Sequence, residues 1–140
     1  MTRRLLLLLP LLCLGAATPL SRFTYVDLFV DPHGQPLAAW QVEFTADTPG
    51  VSLVGVETGE SPAYSKRPPY YDPAALAGLR IIVGDYSLDP TLPTSRTRVA
   101  RLMLEIQGDA KPHYTTHLMA AANPDAISIP ADVSIAEPNP

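Results

Sequence analysis

The chain has 140 residues, a formal net charge of −4 and 16 prolines. That length suits one domain, and the acidic balance excludes a nucleic-acid binder, which needs a basic face to neutralise phosphates. So many prolines exclude long helices, because an interior proline removes a hydrogen bond and clashes with the preceding turn. At 46% hydrophobic residues the chain can still build a real core.

Residues 1–17 have the three parts of a secretory signal peptide. Arg3 and Arg4 make a basic start, an almost unbroken leucine run fills 5–14, and Gly15, Ala16 and Ala17 supply small residues for a cut after Ala17. The run is too short for an ordinary span, which needs roughly 20 apolar residues. The expectation is export to the periplasm, cell envelope or medium, with no membrane span in the mature chain. An uncleaved N-terminal anchor is the alternative. Cys13 is the only cysteine, and Leu11 and Leu12 before it do not suit lipidation. A mature chain 18–140 therefore has no thiol nucleophile and no cysteine metal site.

Segment 23–30 (FTYVDLFV) reads as the first strand, and Asp31-Pro-His-Gly34 as a turn in which Gly34 takes positive φ. In 37–47 (LAAWQVEFTAD), Ala38, Trp40, Val42, Phe44 and Ala46 fall on one side and Ala39, Gln41, Glu43 and Thr45 on the other. Period-two alternation is the mark of a half-buried strand, with Trp40 in the core row. Segment 51–56 (VSLVGV) is the next strand. A polar, proline-rich passage from 57 to 73 follows, with a short irregular strand expected near 63–65. Residues 73–77 are expected to make one helical turn, with Pro73 at its first position and Asp72 as the cap. Segment 79–86 (LRIIVGDY) is a central strand, apolar on both faces in its middle. In 98–107, Ala100, Leu102, Leu104 and Ile106 face inward, while Arg101, Glu105 and Gln107 face out. Segments 113–121 and 131–136 complete the sheets. Seven or eight short strands with turn signals between them predict an all-β antiparallel sandwich.

The order of segments resembles a cohesin domain, within the wider group of carbohydrate-binding-module-like jelly-roll sandwiches. Three blocks carry the likeness: YVDLFVD with QPLAAWQVEFTAD, then VSLVGVETGE, then TRVARLMLEIQGDAKPHYTTHLMAAANPDA with IPADVSI. The resemblance covers roughly residues 25–135 and implies a jelly roll of about 7–9 strands. It also implies a protein partner, dockerin-like or another envelope protein, bound through one sheet face. The insertion 62–73 has no counterpart in the family pattern, and no family binding residue transfers position by position.

Catalytic patterns are absent from the sequence. His33, His113 and His117 lie in no nucleophile motif. His113 and His117 are about 13 Å apart along a strand rising ~3.3 Å per residue, too far for one zinc. Asp27 with Asp31, and Asp85 with Asp89, could offer oxygens to Ca²⁺, but the dense loop spacing of a calcium site is missing and turn capping explains them. The expectation is a non-enzyme with no metal and no cofactor. The strongest surface candidate is 64–71, YSKRPPYY, where Tyr64, Lys66, Arg67, Tyr70 and Tyr71 combine aromatic rings, cations and stiff prolines. Such residues anchor protein interfaces or stack on sugars. The competing reading makes the tyrosines lids over an open sheet edge. The two binding functions differ visibly: a protein partner calls for a broad mixed face, and a polysaccharide for an aromatic row or a cleft. With 7% aromatic residues and the single tryptophan placed inside, the expectation is a protein-binding module, with a carbohydrate-binding module as the alternative.

Overall fold

The computed structural model describes residues 20–139, with Gly15 and Ala17 before them. The expected signal segment otherwise lies outside the described residues. Eight strands form two four-stranded antiparallel sheets. They are β1 Ser21–Asp31, β2 Ala39–Ala46, β3 Val51–Glu57, β4 Tyr70–Tyr71, β5 Arg80–Tyr86, β6 Thr97–Gln107, β7 Tyr114–Ala122 and β8 Asp132–Ala136. One sheet runs β3-β6-β1-β8 and the other β4-β5-β2-β7. The all-β antiparallel sandwich is therefore the fold. No helix among the described residues is long and apolar enough to cross a membrane.

Alternation dictates how the sheets meet. Val26, Leu28 and Val30 of β1, with Leu102, Leu104 and Ile106 of β6, face Trp40, Val42 and Phe44 of β2 and Ile81 and Val83 of β5. All are buried. Each such side chain contributes roughly 1.5–3 kcal/mol on leaving water, which lets the described residues hold together without a disulfide. Three register shifts, at Leu28/Phe29, Gln41/Val42 and Leu53/Gly55, add local twist to the strands that carry them. In the second of these, Met119 of β7 is left unpaired, and Ala120 comes to lie opposite Gln41 on the outer face.

The turn after β1 takes positive φ at both His33 (51°) and Gly34 (88°). Asp72 caps a 3₁₀ turn at Pro73–Ala75, its carboxylate accepting from the Ala74 N–H at 2.9 Å. The strand expected near 63–65 is not formed. That segment is a turn closed by the Tyr64 N–H to the Ser61 carbonyl and the Gly59 N–H to the Tyr64 carbonyl. The strand of this passage is β4, displaced to Tyr70–Tyr71, where it pairs with Gly84 and Val83 of β5.

Candidate functional site

The outer face of the β4-β5-β2-β7 sheet carries the most built feature of the surface. Because Val83 points inward, Gly84 and Tyr86 point outward, and so does Tyr70, which pairs with Gly84. The two tyrosine rings lie nearly parallel, 9° apart, with centroids 6.3 Å from each other. The Arg67 guanidinium covers the Tyr70 ring at 4.2 Å. Arg67, Tyr70 and Tyr86 thus form a row of planar groups. Tyr70 is 57% exposed and Tyr86 56% exposed, so folding leaves more than half of each in water.

Beside this row runs a groove of about 890 Å³. Ala39, Gln41, Ile82, Gly84 and Ala120 make its floor, and Asp72, Ala74 and Ala75 help to close one side. The floor is flat because its residues are small. At Gly84 the flatness is also required: a Cβ there would sit 2.9 Å from the Trp40 carbonyl oxygen.

The charges around the groove are neutralised locally. Arg67 donates to Asp85 at 2.8 Å, and Asp85 also accepts from the Tyr86 N–H at 2.7 Å. Arg80 is ion-paired with Glu43. One loop further, Lys66 contacts Asp89 at 3.3 Å. The Thr91 N–H, and after it the Lys66 side chain, hold the Asp89 carboxyl below the usual carboxylate range.

The five residues singled out from the sequence therefore separate. Arg67 and Tyr70 belong to the row. Tyr71 turns toward the core and is half-buried against it. Lys66 is exposed and tied to Asp89 rather than to the groove. Tyr64 corrects the expectation of an exposed ring: it is only 2% exposed, packs edge-on against Trp40 at 6.1 Å, and donates its hydroxyl to the Leu37 carbonyl at 2.7 Å. Burial, and then the nearby Asp85 carboxylate, push its phenol well above the usual range. Tyr64 supports the loop that carries Arg67; it does not touch the groove.

Tyr86 completes the row and was not among the sequence candidates. The phase of β5 places it, since Val83 inward puts Tyr86 outward on the same face as Gly84, and the apolar run 81–83 hides that phase in the sequence. The carboxylates considered for Ca²⁺ have other partners. Asp27 accepts from Arg101 Nε at 2.7 Å and Nη2 at 3.0 Å, and Asp31 accepts from the His33 N–H. No cluster of three or more His, Cys, Asp or Glu among the described residues could hold a metal ion.

No family model, no curated protein and no solved structure matches this chain.

The outer face of the other sheet differs in kind. Arg101 lies over Tyr25 at 3.9 Å and Arg96 over Phe29 at 3.6 Å, while Arg98 approaches Asp27 at 3.6 Å. The Asp27 hydrogen bonds hold the Arg101 guanidinium above its ordinary range. This face interleaves rings and charges.

Proposed function

We propose that this chain is an exported, non-catalytic binding module that holds a neutral polysaccharide against the Tyr70–Tyr86 row. The observation that carries the reading is the pair itself: two parallel, half-exposed tyrosines beside a flat-floored groove. Arg67 takes one face of Tyr70, so the ring surface left for a sugar's C–H face is the exposed part of Tyr86 and of Tyr70, with the two hydroxyls for its polar rim. Neutrality of the ligand follows from the charges, because Arg67 and Arg80 already have carboxylate partners. A free carboxylate or sulfate on the ligand would have to compete with Asp85 and Glu43 for them.

The non-catalytic reading rests on the same local pairing. Of the groove's carboxylates, Asp72 caps the 3₁₀ turn and Asp85 is taken by Arg67 and the Tyr86 N–H. Carboxylates engaged in this way support a binding role over acid–base chemistry, which uses a pair of carboxyl groups flanking the scissile bond. Export is supported by the basic, leucine-rich and small-residue order of residues 1–17. The jelly-roll reading draws support from four strand pairs, β1–β8, β2–β7, β3–β6 and β4–β5. Their numbers each add to nine, as in one long hairpin wound across two sheets.

A second reading, a protein partner of dockerin-like or other envelope type, is favoured by the opposite face. There Tyr25, Phe29, Arg96, Arg98, Arg101 and Asp27 give the broad mixture of rings and charges that protein interfaces use. The two readings separate in one experiment. The protein is incubated with insoluble neutral polysaccharides and, in parallel, with envelope and secreted proteins of its source. Depletion by a polysaccharide that Tyr70→Ala weakens supports the first reading. Stoichiometric capture of one protein, weakened by substitution at Tyr25 or Phe29 and indifferent to Tyr70, would replace it with the second.

A further inference from the structure

A second trough lies directly past the end of the Tyr70–Tyr86 groove. Its volume is about 860 Å³, close to that of the first. The two share Ala39 and Tyr86 as lining residues, so one begins where the other ends. The shared residues lie at the end of β5. Tyr86 is the last residue of β5 and pairs with Ala39, which pairs in turn with Ala122 of β7. Beyond that row the sheet stops, and the loops after β5 and β7 continue the walls.

The second trough has its own amphipathic lining. Leu88, Pro90, Leu92 and Pro124 supply apolar surface, and Thr91 and Thr94 supply hydroxyls. Leu88 is 92% exposed, the most solvent-exposed large apolar side chain after β1 begins. It contributes nothing to the core, and it stands two residues from Tyr86, which is itself half in water. The loop that carries it is braced on both sides. Asp89 accepts from the Thr91 N–H at 2.8 Å and pairs with Lys66, and the Ser87 hydroxyl accepts from the Asp89 N–H at 3.1 Å. The loop after β7 is braced likewise, with Asn123 accepting from the Asp125 and Ile127 N–H groups at 3.0 Å each. Leu88 is therefore presented to solvent by fixed backbone.

We infer that the two troughs are one extended binding site, and that its ligand is a linear chain running parallel to β5 with successive units against Tyr70–Tyr86 and then against Leu88. This rests on the polysaccharide reading above and adds the length and direction of what is bound. The first trough follows the seven residues of β5, about 20 Å at ~3.3 Å per residue. The second adds a comparable volume beyond the end of that strand. A mono- or disaccharide fills one subsite only, and a longer oligomer reaches both.

The test is a length series. Neutral gluco-, xylo- and manno-oligosaccharides of about two to six units are titrated into the protein by calorimetry, with Leu88→Asp and Tyr70→Ala alongside. For the backbone that binds, affinity should rise at least ~10-fold from the shortest to the longest oligomer. Leu88→Asp should match the parent on the shortest oligomer and lose about 5-fold or more on the longest. Tyr70→Ala should weaken every length. Leu88 is exposed, so its replacement leaves folding intact, and an unchanged melting temperature checks this. An affinity independent of length, or a Leu88→Asp variant identical to the parent at every length, would overturn the extended site and leave the Tyr70–Tyr86 reading standing. Failure of every oligomer to bind, at all lengths, would overturn both.

Discussion

Replacing Tyr64 by phenylalanine isolates one hydroxyl on which the placement of the Arg67 loop depends. The ring stays, and with it the edge-on contact to Trp40 at 6.1 Å. What goes is the 2.7 Å hydrogen bond to the carbonyl of Leu37, a residue with no exposure to solvent. A buried acceptor deprived of its donor costs about 1–3 kcal/mol. For a domain of this size each kcal/mol lowers the melting temperature by about 3–5 °C. The expected result at neutral pH is a cooperative denaturant melt with an unchanged slope and a midpoint shifted to match.

The same comparison has a pH signature. The Tyr64 phenol is raised in the folded protein, by burial first and Asp85 second. As pH climbs past about 10, the unfolded chain loses this proton before the folded one does. The hydroxyl's contribution is intact below that point and is lost above it, at up to ~1.4 kcal/mol per pH unit. Tyr64→Phe lacks this loss, so the stability gap between parent and variant should narrow above pH 10. A variant as stable as the parent at pH 7, or a gap that stays constant into the alkaline range, would refute the buried donor.

Three further outcomes follow from the packing. Gly84→Val places carbon within 2.9 Å of the Trp40 carbonyl; overpacking of this kind costs about 1–3 kcal/mol, and a melting temperature equal to the parent's would refute the β5 register. Trp40, the only tryptophan, is buried in the core row, so native fluorescence should be blue-shifted and move red on denaturation; a red native spectrum would place it outside. Burial pushes the Tyr114 phenol up to about 12, and Tyr114→Phe should remove one late step from the alkaline phenolate titration of the folded protein. Loss of an ordinary step near pH 10 instead of a late one would put that ring in water.

Much of this fold is written in local alternation. The Ala38 to Ala46 row and the Ala100 to Ile106 row each fix a face by themselves, and both face the core as their period requires. Asp72 followed by Pro73 was equally direct, since a capping carboxylate and a proline at the first position act within four residues. The passage from 57 to 73 was less legible because its outcome is decided at long range. Ala63 and Tyr64 look like strand residues, yet Tyr64 is drawn inward by Trp40 and by a carbonyl 27 residues earlier. Tyr70 and Tyr71 become a strand only because β5 presents an open edge to them.

The binding row shows the same division. Arg67 and Tyr70 stood out by residue type. Tyr86 did not, because Ile81, Ile82 and Val83 make the strand apolar on both faces and conceal its phase. Which side Tyr86 takes is settled by pairing with Ala39 of β2, and its proximity to Tyr70 by the pairing of β4 with Gly84. Leu88 lies in a loop, where no period applies.

The central claim is that Tyr70 and Tyr86 act together as the platform for a neutral polysaccharide. Its most direct test is the dissociation constant of the parent and of Tyr70→Ala and Tyr86→Ala for whichever neutral polysaccharide depletes the protein from solution. Both side chains are more than half in water, so each variant should melt within about 0.5 kcal/mol of the parent. Each should bind at least ~10-fold more weakly, the loss of an aromatic anchor from the centre of a contact. Undiminished affinity in both variants, at unchanged stability, would contradict the account and move the binding face to Tyr25 and Phe29 on the opposite sheet.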